Sequence, residues 1–257
     1  MRIPQKTWKK FVADLRKVSD KAAEELELFM DAHRDANGLW NARETRRSVI
    51  NYAFALATKY GEGAGEIACQ MYDAIGVASG AAVPLAEPAA TATYQEVAMT
   101  INGVLLRTTQ PSVIASAVGR NVKMAGVDTI MQNAIRDGAE WAWIPSGDSC
   151  AFCRMLASNG WRNASKKEMK NGHARHIHAN CDCIYAIRFD ETSTVEGYDP
   201  DALYEEYRQA RGEAGSGKTR DIVNAMRRED YKKNKDEINT QKRLAYAKRK
   251  EVENANQ

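Results

Sequence analysis

Apolar residues recur at spacings of three and four through the first part of the chain. Trp8, Phe11, Val12, Leu15, Val18, Ala22, Leu26 and Phe29 share one helical face, which predicts an amphipathic helix over 5–36, stopped by Asn37-Gly38. A second helical stretch runs from about Ala42 to Ile75 on Val49, Ile50, Ala53, Phe54, Leu56 and Ala57, then Ile67, Met71 and Ile75. Gly61, Gly63 and Gly65 interrupt it and predict a break or kink. They follow a helix, not a strand, so they do not read as a nucleotide loop. Residues 76–93, rich in Ala, Gly and Pro, read as a connection and a candidate hinge. Helix resumes from Tyr94 to about Arg107, and again from Pro111, which suits a first helical position, to about Arg136. Residues 1–137 therefore read as a helical bundle. Cys69 lies on its apolar side as a small hydrophobe, and His33 reads as a surface residue.

The pattern changes at Glu140-Trp-Ala-Trp-Ile-Pro145, where the aromatic and β-branched residues predict a short strand. Ser149 is placed to cap a short helix holding Cys150 and Cys153. Cys183-Ile-Tyr-Ala-Ile-Arg-Phe189 predicts a second strand, expected to pair with Trp141–Ile144. Residues 138–192 thus read as a small α+β unit, and 193–257 as a helical, basic tail with helices near 200–211, 217–229 and 231–250. The fold class is mainly α with a small α+β zinc-binding unit.

Composition adds less than distribution does. The chain has 257 residues, 44% of them hydrophobic and 28% charged, with mean hydropathy −0.56 and net charge +3. No run is long and apolar enough to span a membrane. Positive charge gathers in two places: 154–178 has six basic residues and one acidic, and 216–257 has twelve and seven. Between them, 179–215 carries three basic and nine acidic residues. Basic stretches of this kind meet nucleic acid or an acidic partner. Gly212-Glu-Ala-Gly-Ser-Gly-Lys-Thr219 matches the phosphate-loop pattern G-x-x-x-x-G-K-T. The charged, helix-forming Leu203–Arg211 precedes it where a buried strand is required, so no nucleotide is expected there.

The chemistry concentrates between Cys150 and Cys183. Four of five cysteines and three of four histidines fall in these 34 residues. Cys150 and Cys153 have the two-residue spacing that lets two thiolates reach one ion. His178, Cys181 and Cys183 make five candidates for four tetrahedral places, with His176 in reserve and His173 weaker. A ligand set drawn wholly from protein leaves no open position for water, which predicts one structural Zn2+ per chain rather than a catalytic metal. Two disulfides, and a metal-free turn in which small residues merely pack, are the competing arrangements. With no charged-then-apolar leader, the compartment reads as reducing, which favours metal.

A strand, Cys-x-x-Cys, a variable loop and His-x-Asn-Cys-x-Cys running into a strand, preceded by helices, resembles the minor head proteins of tailed bacteriophages related to head-morphogenesis protein F of phage Mu. The matching residues are Cys150, Cys153, His178, Asn180, Cys181 and Cys183, within roughly 110–190. Where that family usually has Pro after the His, this chain has Ala179. The resemblance implies a non-enzymatic virion component inside the head near the portal, made in the bacterial host cytoplasm. It would contact portal and capsid proteins, with DNA as a secondary contact. The competing expectations are a His-Asn-His-like metal-finger endonuclease using His176 as base, and a zinc-containing DNA-binding adaptor.

Overall fold

The computed structural model describes residues 1–34, 42–147, 149–171 and 181–255. The molecule is mainly helical with a small sheet. It divides into two compact units: Met1–Ser149 with Asn159–Tyr198, and Cys150–Ser158 with Asp199–Gln257.

The first unit is organised around its fourth helix. Helix α1 (Gln5–Asp31) buries Trp8, Phe11, Leu15, Ser19, Ala22, Leu26 and Met30, one residue per turn. It ends at Asp31 with Ala32 as its C-cap, short of the predicted 36. The expected stop at Asn37-Gly38 lies outside the described residues. His33 is exposed, its ring nitrogen 2.7 Å from the Phe29 carbonyl oxygen. Helix α2 (Ala42–Ser79) runs without interruption through Gly61, Gly63 and Gly65, so the predicted break is absent. The reason is packing: a Cβ at Gly61 would meet Thr91 Cγ2 at 2.9 Å, and one at Gly65 would meet Pro88 Cβ at 3.3 Å. Helix α3 (Tyr94–Leu105) opens with a capping box, Thr93 accepting from the Glu96 amide and Glu96 from the Thr93 amide.

Helix α4 (Pro111–Asp137) is buried on nearly every side, as expected of a helix packed among α1, α2 and α3. Two glycines allow the close approach: a Cβ at Gly119 would lie 3.0 Å from the Ser19 carbonyl oxygen, and one at Gly126 3.0 Å from that of Ala64. The segment expected as a hinge is strapped down instead. The amides of Glu87 and Ala89 donate to Asn133 Oδ1 and Thr129 Oγ1 at 3.0 and 2.9 Å, and Ala86 donates to Asp73 at 2.8 Å. Arg136 donates to the carbonyls of Leu85 and Pro84.

Strand β2 (Glu140–Ile144) is central in an antiparallel sheet of order β3-β2-β4, with β3 Arg162–Asn163 and β4 Ile184–Arg188. The expected pairing is present, in the register Trp141↔Ile187, Trp143↔Tyr185 and Ile144↔Ile184. A parallel bridge between β1 (Arg2–Ile3) and β5 (Thr194–Val195) had no sequence signal.

In the second unit, helix α5 (Ala151–Ala157) packs with α7 (Pro200–Ala214) and α8 (Thr219–Lys233). Arg154 ties the three together, donating to Glu206 at 3.0 Å and to both Asp230 oxygens at 2.7 and 2.8 Å. Helix α9 (Lys235–Ala255) follows Asn234 directly. Helix α6 (Lys166–Asn171) belongs to the first unit. No described helix is long and apolar enough to cross a membrane.

Candidate metal centre

The sheet positions the Cys-x-Cys pair. Because Ile144 pairs with Ile184, the residue before β4 lies beside the turn after β2. That residue is Cys183, buried, and the Ser146 amide donates to its sulfur at 3.3 Å. The Ser146 hydroxyl stands 3.6 Å from the same sulfur. The Cys183 amide in turn donates to Cys181 Sγ at 3.4 Å. Amide donors aimed at sulfur orient it, as partners one step outside a metal's ligands do.

Cys153 is carried on α5 and fully buried. Cys181 and Cys183 of the first unit, and Cys153 carried by the second, are described cysteines that could hold a metal ion. Cys150 is the N-cap residue of α5, the place expected for Ser149, and is exposed and outside this trio. His178, with His173, His176 and Asn180, lies outside the described residues. The fifth cysteine, Cys69, is buried on α2, and burial pushes its thiol up to about 11, in keeping with a packing role.

The sequence pattern did not single out the residues that grip this segment. Lys123 of α4 donates to the Cys181 carbonyl oxygen at 3.1 Å, and Arg16 of α1 to Asp182 Oδ2 at 2.7 Å. The available signal was a lone charge in the otherwise apolar run Val122-Lys-Met-Ala125. Beside Asp182 a cleft of about 310 Å³ is lined by Trp8, Val12, Arg16, Ile144, Pro145 and Tyr198. The nearby Glu196 carboxylate is engaged by the Gln5 amide at 2.9 Å. At the phosphate-loop look-alike, helix α7 stands where a strand would be required, and Gly215 caps it in the left-handed region at φ 57°.

Across known proteins, residues 2–210 match the family model described as VG15 protein. No curated protein and no solved structure matches the chain.

Proposed function

The chain belongs to the VG15 protein family, a viral and phage family, and we propose that it is a minor head protein of a tailed phage or prophage, a structural assembly factor. In this reading it sits in the virion head near the portal and contacts portal and capsid proteins, with DNA as a secondary contact. The Cys-x-x-Cys and His-x-Asn-Cys-x-Cys pattern supports the finer assignment within a phage family. The reading of assembly rather than catalysis rests on Cys150 or His178 completing a shell drawn wholly from protein, which would leave no place for a reacting water.

The observation that supports the reading is the pair of thiols, Cys181 and Cys183, on the segment that runs into the sheet, with Cys153 of α5 as a third cysteine that could hold the same ion. A metal there is a staple for a region of few strands and short helices, where a hydrophobic core alone is thin. Zn2+ fits thiolate ligands and a closed tetrahedral shell. Cys153, Cys181 and Cys183 supply three ligands, and Cys150 or His178 the fourth. Freshly reduced protein should therefore carry about one Zn2+ per chain by elemental analysis, and Cys183→Ser should lose it while Cys69→Ser keeps it. The docking role is tested by pull-down with a phage portal protein. Retention by portal supports the assignment. Plasmid nicking with Mg2+ that stops on His176→Ala would replace it with a nuclease.

A further inference from the structure

Lys123 stands in the middle of α4, and its side chain is only 9% exposed. A buried ammonium is costly unless something nearby repays its lost hydration. Here the neighbours belong to the Cys-x-Cys segment. Lys123 Nζ donates to the Cys181 carbonyl oxygen at 3.1 Å and lies 3.8 Å from Asp182 Oδ1. Arg16, itself exposed, holds the other oxygen of that carboxylate at 2.7 Å. Two helices thus grip consecutive residues of the segment, α4 from the buried side and α1 from the solvent side.

This grip falls where the thiols need it. The Cys183 amide reaches Cys181 Sγ at 3.4 Å only if the backbone between them turns in one way, and that turn is the stretch held by Lys123. Charge points in the same direction. Three thiolates and a fourth protein ligand around one divalent ion leave a net charge of about −1 or −2 in a buried place. One fixed ammonium offsets a unit of it without blocking a ligand.

Resting on the metal reading above, we propose that Lys123 is the positioning residue and counter-charge of the cysteine metal centre. It holds the Cys181–Cys183 turn in its ligating shape before the ion arrives and stabilises the anionic complex afterwards. Partners of this kind, one step outside the ligands, typically change metal affinity by about 10- to 100-fold.

The test is Lys123→Met in the full chain, which keeps length and removes charge. Zn2+ affinity is read by competition with a chromophoric chelator, and Co2+ loading by the intensity and position of its thiolate charge-transfer and d–d bands. Affinity should fall by about 10- to 100-fold and the Co2+ bands should shift. Melting of the metal-free protein should be unchanged or raised, because a buried charge replaced by an apolar side chain of similar volume is often tolerated. Arg16→Met, which removes only the solvent-side contact, should change affinity by less than about threefold, in line with the small worth of exposed pairs. Lys123→Gln serves as the second variant should the methionine protein fail to fold. Wild-type metal uptake with affinity in the Lys123 variants within twofold of it would overturn this proposal alone. A wild-type chain that takes up neither Zn2+ nor Co2+ would overturn the metal reading and this proposal with it.

Discussion

Asp137 is the last residue of α4, where the helix dipole disfavours a negative charge, and its side chain is only 3% exposed. It is kept ionised by its partners. Arg136 donates to both its oxygens at 2.7 and 2.8 Å, and the Tyr72 hydroxyl donates at 2.7 Å from α2. Arg136 first and Tyr72 second hold the carboxyl below its usual range against the opposing effect of burial. Burial first, and then the bond to Asp137, pushes the Tyr72 phenol well above its ordinary value. A depressed carboxyl contributes stability that is present above its unfolded pKa, about 3.9, and lost as pH falls through the folded value. A raised phenol contributes stability present below about 10 and lost as pH rises through its folded value. Tyr72→Phe should therefore cost about 1–3 kcal/mol at neutral pH, as for a hydrogen bond to a charged group. The loss should shrink at acid pH once Asp137 is protonated. Urea unfolding of both proteins from pH 2.5 to 8 checks this, and a difference independent of pH would contradict it.

At the level of elements, the glycines of the helical bundle act through the neighbours they admit. Replacing a mid-helix glycine by alanine ordinarily gains about 0.5–1 kcal/mol. A methyl added at Gly103 on α3 would meet nothing within 4 Å, so Gly103→Ala should show that gain. At Gly126 the added methyl would sit 3.0 Å from both the Ala64 carbonyl oxygen and Leu15 Cδ2, and the backbone carbonyl cannot swing away. Gly126→Ala should reverse the sign and cost about 1–3 kcal/mol by overpacking. Thermal melts of the two variants, moving in opposite directions, are the measurement. The same contrast explains what the sequence made legible. Helix α1 was readable because a buried face repeats every three or four residues, and the start of α4 because Pro111 suits a first helical position. The α2 glycines misled because, in a single chain, a missing side chain reads as weakness, while the contact it permits involves Thr91, Pro88 and Thr129 far along the sequence. The supposed hinge misled for the same reason, since the acceptors Asn133 and Thr129 lie more than 35 residues away. At the candidate metal centre Cys153, Cys181 and Cys183 were legible by spacing, which also drew in Cys150, exposed and outside that group. Lys123 and Ser146 were not, because they act through a backbone carbonyl and a backbone amide that carry no residue-type signal.

At the scale of the molecule, the two ends of the stability range are α4 and α9. Helix α4 buries Ile114, Val118, Val122, Val127, Ile130 and Met131, so its amides should exchange only when the first unit unfolds. Helix α9 has Leu244 66% and Tyr246 62% exposed, and its main described packing is against α8. A helix of 21 residues with so little packing is marginal on its own in water. Its amides should therefore be protected by less than about 100-fold, while those of α4 follow global unfolding. A chain ending at Asn234 should melt within about 2 °C of full length, since little buried surface is lost. The consequence for function lies in what α9 offers a partner. Residues 235–255 carry six basic and four acidic side chains, with Ile238, Leu244, Tyr246 and Val252 as apolar positions. If portal is the partner, adding it should raise α9 protection, and retention should survive high salt, as for a helix laid in a groove. If DNA is the partner, protection should appear with DNA and vanish steeply with salt through counterion release. Hydrogen exchange of the full chain alone, with portal and with duplex DNA, at low and high salt, separates these cases. Amides in α9 exchanging as slowly as those of α4 in the isolated chain would show that the helix is held by the fold itself and is not a docking element.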